Sequence, residues 1–77
     1  MTNAEHTETF IEFKSKELQS LRVQSWEYDH RCAEMFAWIQ PGDDGSPGYR
    51  HRVGGMKLKD AKQIAKRAGV LGKQIIL

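Results

Sequence analysis

The sequence predicts a small α+β protein in which one amphipathic helix, at about residues 57–69, packs on a small antiparallel sheet. Three observations predict this class. Side chains of residues 21–39 alternate with a period of two, as in strands. The segment PGDDGSPG at residues 41–48 contains turn formers that stop both helix and strand. After residue 57 the apolar side chains recur at helical spacing.

The first elements are predicted with one alternative left open. Residues 1–7 are polar and are expected to fray. In residues 8–20, TFIEF favours a strand and KSKELQSL favours a helix, so the sequence leaves both open. In the strand that follows, Val23 is expected on the side opposite to Trp26. YDHR then favours a turn.

Two further strands flank the proline- and glycine-rich loop. CAEMFAWIQ, residues 32–40, is rich in strand formers and places Phe36 and Trp38 on the same face. YRHRV, residues 49–53, alternates as a strand, so the two are expected to form a hairpin. After the helix, Gly69 is placed to cap it. KQIIL forms a closing C-terminal strand whose place, central or edge, the sequence leaves open.

The predicted helix has an apolar arc and a cationic side. At about 100° per residue, five apolar side chains fall within an arc of about 120°: Leu58, Ala61, Ile64, Ala65 and Ala68. Four cationic side chains fall outside this arc: Lys59, Lys62, Lys66 and Arg67. The apolar arc is therefore expected to pack inward, and the cationic side to face outward.

Length, cysteine content and charge bound the class of protein. A chain of 77 residues is expected to form a single domain, residues 1–77. Cys32 is the only cysteine and no run is apolar enough to span a membrane, so we expect a cytoplasmic protein without membrane contact. Residues 1–47 contain four Lys or Arg and nine Asp or Glu, whereas residues 48–77 contain eight and one. Such asymmetry indicates a nucleic acid or an acidic surface as the partner.

These charges predict a binding surface. We expect one cationic face formed by seven residues: Tyr49, Arg50, Arg52, Lys59, Lys62, Lys66 and Arg67. Tyr49 would stack on a base or an arginine, and the cations would contact phosphates or carboxylates. No nucleophile–base pair is visible, and His30, Cys32 and His51 lack the close spacing of zinc ligands. The sequence therefore predicts a non-enzymatic protein without a metal or a cofactor.

The large aromatic side chains bear on both the core and the surface. Trp26, Phe36 and Trp38 are expected in the core, because a small domain needs large side chains to build one. A tryptophan that is exposed beside the basic residues would instead be a candidate anchor for a partner.

LKDAK at residues 58–62 follows a basic strand and a glycine pair, and it resembles the KKxAK signature of the double-stranded RNA-binding domain. In that family the signature opens the last helix, beneath a three-stranded sheet. The resemblance covers residues 49–69 and implies that Lys59 and Lys62 contact phosphates across a groove. Three features depart from the family: Leu58 replaces the first lysine, the helix is short and precedes a strand, and YDHR replaces a glycine-proline-histidine loop.

The hairpin, the lysine-rich helix and the closing strand, over about residues 32–77, are similar in architecture to small phage accessory proteins, anti-CRISPR proteins among them. This resemblance implies an inhibitor that acts in the host cytoplasm by covering a functional surface of a bacterial nucleic-acid-handling complex. The partner would be a host protein or nucleoprotein complex with an acidic surface. The alternative is a module that binds RNA or DNA directly with the same residues. The sequence leaves open whether the chain also forms a homodimer.

Overall fold

The computed structural model describes residues 3–69 and 74–76, and the side chains of residues 7–69. This part of the chain forms two helices and four strands: α1 (Asn3–Gln19), β1 (Val23–Asp29), β2 (Glu34–Ile39), β3 (Tyr49–Gly55), α2 (Leu58–Ala68) and β4 (Gln74–Ile76). Side chains of both helices pack with those of the strands in one core. The α+β class predicted from the sequence is thus confirmed.

The strands form one sheet in the order β3-β2-β1-β4. β2 pairs antiparallel with both β1 and β3, as the sequence predicts. The closing strand β4 lies at the edge beside β1 and runs parallel to it, with Ser25 paired to Gln74. The sheet is therefore mixed, and the expectation of a wholly antiparallel sheet is corrected. Because β3 runs in the direction of β1, a helical crossover from β3 brings β4 back in that same direction.

The segment left open between helix and strand, residues 8–20, forms most of α1. Ile11 and Leu18 are seven residues apart, which is two helical turns, and both are buried in the core. Their burial against the sheet outweighs the strand preference of TFIEF, because most helix stability in proteins comes from tertiary packing. The end predicted to fray, residues 1–7, lies partly outside the described residues, and the chain is helical from Asn3.

α2 matches the helix predicted at about residues 57–69. Its buried side chains, Ala61, Ile64 and Ala65, belong to the predicted apolar arc. Gly69 follows the helix with φ 84° and ψ 12°, and its N–H group donates to carbonyl oxygens of the last turn. A glycine adopts this left-handed conformation without the steric cost that a Cβ would add. The apolar arc of α2 therefore packs inward.

The core lies between the two helices and one face of the sheet. Trp26 and Met35 are completely buried there, as is Ile64 of α2. An irregularity in strand register between Val23 and Ser25 brings Val23 to the same side as Trp26. The opposite placement expected from strict alternation is therefore wrong.

The other face of the sheet carries no helix among the described residues, and we call it the open face. It is formed by strand residues that alternate with those of the core: Ser25, Glu27, Asp29, Glu34, Phe36, Trp38, Arg50 and Arg52. Phe36 and Trp38 share this face, as predicted. Phe36 is buried, but 37 % of Trp38 is exposed, so the expectation of a core position is wrong for Trp38.

Candidate functional site

The residues predicted to form one cationic face lie in separate places. Arg50 and Arg52 extend from β3 on the open face of the sheet. Three lysines on the outer side of α2 form what we call the lysine ridge: Lys59, Lys62 and Lys66. Arg67 turns toward α1, and Tyr49 lies half-exposed at the start of β3. Because the sheet and its core separate α2 from the open face, the structure does not bring the seven residues together.

The lysine ridge faces solvent along one side of α2. Its residues follow the three- and four-residue spacing that aligns side chains on a helix surface, and they extend over about 10 Å. All three are exposed, and no described carboxylate forms an ion pair with them. Lys57, exposed just before the helix, is a fourth such cation that the sequence prediction left out of the site. These charges remain uncompensated within the described structure.

Arg67, by contrast, is engaged within the protein. Its guanidinium donates to the Glu8 carboxylate at 2.9 Å, and the Gln19 side chain donates to the Arg67 carbonyl oxygen at 3.1 Å. The hydrogen bond from Arg67 lowers the pKa of Glu8, and the same bond raises the pKa of Arg67. Arg67 therefore joins α2 to α1 and does not extend the ridge.

Arg50 belongs to a network on the open face. It donates to the Glu27 carboxylate at 3.4 Å from Nε and at 2.9 Å from Nη2. The indole N–H of Trp38 donates to the same carboxylate at 3.1 Å. The Arg50 guanidinium carbon also lies 3.5 Å from the centre of the Phe36 ring, which is a cation–π contact. These contacts fix the orientation of both Arg50 and Trp38, and the hydrogen bond from Arg50 lowers the pKa of Glu27.

Arg52 is paired near the turn between β1 and β2. Its Nε donates to the Glu34 carboxylate. Cys32 lies exposed in the same turn, and hydrogen bonds to Glu34 and then to Asp29 raise the pKa of Cys32 to about 11. The thiol thus stays protonated at neutral pH, which leaves it a poor nucleophile.

Part of the charge asymmetry of the sequence is a pattern of pairing across the fold. Four contacts join acids of the first half to basic side chains of the second half: Glu8–Arg67, Glu17–His51, Glu27–Arg50 and Glu34–Arg52. A count of charged residues in the sequence cannot distinguish basic side chains that are paired within the protein from those that are free to bind a ligand. Among the described basic residues of the second half, those without an ion-pair partner are Lys57 and the lysine ridge.

Acid should destabilise the protein, because the paired carboxylates are held in their ionised form. Hydrogen bonds from Arg50 to Glu27, and from Cys32 and Arg52 to Glu34, lower the pKa of both carboxylates below 4.5. Such a group contributes stability above its unfolded-state pKa and loses it as the pH falls through the folded-state value. We therefore expect the urea midpoint to be constant from neutral pH down to about 5.5 and to fall at lower pH.

A pair of double variants checks the source of this fall. Glu27→Gln with Glu34→Gln removes two of the carboxylates whose pKa is lowered and should make the pH dependence shallower. Glu12→Gln with Asp43→Asn also removes two carboxylates, which form only exposed pairs with Lys16 and Arg22, and should leave the dependence unchanged. Equal pH profiles for the two double variants would contradict the assignment.

A cleft of about 600 Å³ lies between α1 and the start of α2. The acidic side chains of Glu8 and Asp60 and the basic side chains of Lys57 and Lys59 line it. Ile11 is an apolar lining residue. Because acids and bases are present in equal number, the cleft does not select an anion. It therefore borders the lysine ridge without adding to its charge.

No family model, curated protein or solved structure matches the chain. Neither helix of the described chain is long and apolar enough to cross a membrane. In residues 3–69 and 74–76, no three His, Cys, Asp or Glu side chains are grouped to hold a metal ion. Function must therefore be inferred from the geometry of this chain.

Proposed function

We propose that the chain is a non-enzymatic binding protein whose lysine ridge contacts the phosphates of a nucleic acid. One observation carries this proposal: the ridge stays uncompensated among the described residues, whereas each arginine of the predicted site has an acidic partner. The binding surface is thus narrower than the sequence suggests. It consists of Lys59, Lys62 and Lys66, with Lys57 beside them.

The surroundings of the ridge favour a phosphate backbone over a protein surface. Protein interfaces are enriched in aromatic residues and arginine and depleted in lysine. On the outer side of α2 the ridge is accompanied by Gln63 and by no large apolar side chain. The exposed large apolar residues of the described chain, Phe13, Trp38 and Tyr49, belong to other elements. A row of lysines can contact successive phosphates along a nucleic-acid backbone. Each phosphate that a lysine neutralises releases its counterions, which favours binding.

The resemblance to the double-stranded RNA-binding domain supports the same ligand. β1, β2 and β3 form the antiparallel part of the sheet, and α2 begins at LKDAK. Lys59 and Lys62 of this segment are exposed members of the ridge. Leu58, which replaces the first lysine of the signature, packs partly buried against the core, so this position contributes to folding instead.

Mobility shifts with random-sequence duplex at two salt concentrations test the proposal. If three or four lysines engage phosphates, affinity for duplex DNA should fall about 40- to 150-fold between roughly 50 and 200 mM salt. A salt-independent shift would argue against phosphate contacts. The lack of any shift at the lower salt would contradict the proposal and leave an acidic protein surface as the ligand of the ridge.

A phage-type inhibitor of a nucleic-acid-handling complex is the second candidate. It is favoured by the presence of two unlike exposed surfaces on opposite sides of the sheet, since the ridge offers charge and the open face exposes Trp38 beside Arg50. Tryptophan and arginine are typical of protein contacts. If the chain has this function, it should bind a nucleoprotein complex more tightly than it binds the nucleic acid of that complex alone. The two affinities are measured under the same conditions.

A further inference from the structure

We propose that the lysine ridge binds double-stranded nucleic acid in preference to a single strand, through contacts with phosphates and without stacking on bases. This inference rests on the proposed function, because it specifies which form of nucleic acid the ridge binds. Two observations carry it. The fold places the aromatic rings of the chain away from the ridge, and the ridge itself is a short row of uncompensated charges on one helix.

No aromatic ring lies on the helix that carries the ridge. The three phenylalanines, two tryptophans and two tyrosines all belong to residues 10–49, so α2 contains none. Trp38 is exposed on the open face, on the side of the sheet opposite to α2, and Tyr49 lies on β3. Three further rings are buried in the fold: Trp26, Tyr28 and Phe36. Proteins that bind single strands typically stack the bases on exposed rings beside their phosphate contacts.

Phe13 is exposed on α1, but on the side that faces away from α2. It follows Ile11 by two residues, which is about 200° around a helix. Ile11 is buried and lines the cleft between α1 and the start of α2, together with Lys59. A base stacked on Phe13 would therefore lie on the opposite side of α1 from the ridge.

Phe10 lines a smaller cleft together with Lys57, but its ring is already engaged by protein groups. It packs partly buried against the core, and the Lys14 Nζ atom lies 5.8 Å from its ring centre, which is a cation–π contact. Arg67 is the one arginine of α2, and its guanidinium is bound to Glu8. The described surroundings of the ridge thus provide charge without a free surface for stacking.

A duplex presents more phosphate charge to such a ridge than a single strand does. The ridge extends over about 10 Å. Duplex DNA carries one charge per about 1.7 Å of its axis, so this length meets about six phosphates, and one strand with the same rise supplies about three. The duplex is also stiff, with a persistence length of about 150 base pairs. Its phosphates are therefore ordered before they bind, whereas a flexible single strand loses conformational entropy when it follows a helix.

Fluorescence anisotropy with one short DNA strand of mixed sequence, alone and annealed to its complement, tests this preference. The counterion slope is about 0.9 per phosphate for the duplex and about 0.7 for the single strand, and counterion release contributes nothing at about 1 M salt. If the two forms bind equally at that salt, three or four contacts should make the duplex bind about 6- to 11-fold more tightly at roughly 50 mM. The variant with Lys59→Gln, Lys62→Gln and Lys66→Gln should lose this preference.

An abasic strand tests the lack of stacking without any change in the protein. It has the same number of phosphates as the single strand but carries no bases. We expect the two to bind with the same affinity. Stacking would make the abasic strand bind about 5- to 150-fold more weakly for each base that is stacked.

A double variant and the tryptophan fluorescence report on the exposed rings. Trp38→Leu with Tyr49→Leu removes two exposed rings and no charge, so it should bind both forms of DNA as the parent does, and circular dichroism reports whether it is folded. Because Trp26 is completely buried, a base that stacks on the protein would quench the emission of Trp38. We expect no such quenching from the single strand.

Three results would overturn this inference: a single strand that binds as tightly as the duplex, an abasic strand that binds about fivefold or more weakly than the strand with bases, or quenching of Trp38 by the single strand. Each of them leaves the proposed function in place if the affinity still falls with salt. A lack of binding to both forms at low salt would instead contradict the proposed function, and this inference with it.

Discussion

Replacing the three ridge lysines with glutamine, as Lys59→Gln, Lys62→Gln and Lys66→Gln, should lower the affinity for duplex DNA about 100-fold or more at low salt. Each lysine that leaves a phosphate removes one released counterion, so the slope of log affinity against log salt should become shallower by about 2.7. Glutamine has nearly the helix propensity of lysine, so α2 should remain folded. Mobility shift at several salt concentrations, with circular dichroism for the fold, measures both effects.

A matched triple variant removes the same charge elsewhere. Lys16→Gln, Arg22→Gln and Arg52→Gln lie outside the ridge, and three lost positive charges change the formal net charge from +2 to −1, as in the ridge variant. This control should keep most of the affinity and most of the salt slope. If both triple variants lost affinity equally, binding would reflect net charge alone. A ridge variant that bound like the parent would contradict the proposed function.

Trp26→Ala should bring the protein close to unfolding. Trp26 is completely buried on β1, an inner strand of the sheet. Truncation of a core tryptophan costs about 3–5 kcal/mol, while a chain of 77 residues has a total stability of roughly 4–12 kcal/mol. Urea denaturation followed by circular dichroism should therefore show that a large part of the unfolding free energy is lost. Phe13→Ala, at a side chain that is 67 % exposed, should change stability by less than about 0.5 kcal/mol.

Trp26→Phe should be much milder than Trp26→Ala. The indole nitrogen of Trp26 is buried without a hydrogen-bond partner among the described residues. Such an unsatisfied donor costs about 1–3 kcal/mol, and phenylalanine removes it while it fills most of the same space. We expect Trp26→Phe to cost less than about 2 kcal/mol, because the lost volume is offset by the lost donor. A cost as large as that of Trp26→Ala would contradict this expectation.

The elements that could be predicted have local signals. α2 was predictable because its apolar side chains recur at helical spacing and Gly69 caps its end. α1 was not, because TFIEF has a strand preference that is overcome only when Ile11 and Leu18 meet the sheet. The direction of β4 was not predictable either, since it depends on the path of α2 between two strands that are distant in sequence.

The candidate site was also predictable only where its residues have local signals in the sequence. Helical periodicity placed the ridge lysines outward, and composition singled out the basic second half. The fate of the arginines depends on partners far along the chain, since Arg67 meets an acid 59 residues away and Arg50 one 23 residues away. The signal that would have found the Arg50 pair is strand register, which brings β1 beside β2 and β2 beside β3.

By itself the sequence determined a small α+β protein with a helix that packs its apolar side chains inward and places a row of lysines outward. It could do so because helix periodicity, capping and turn chemistry act between near neighbours in the chain. Only the tertiary structure decided that the arginines of the predicted site are paired and that Trp38 is exposed while Trp26 is buried. Those outcomes depend on which strands become neighbours and on which face of the sheet the helices cover, and such long-range contacts form only when the whole chain folds.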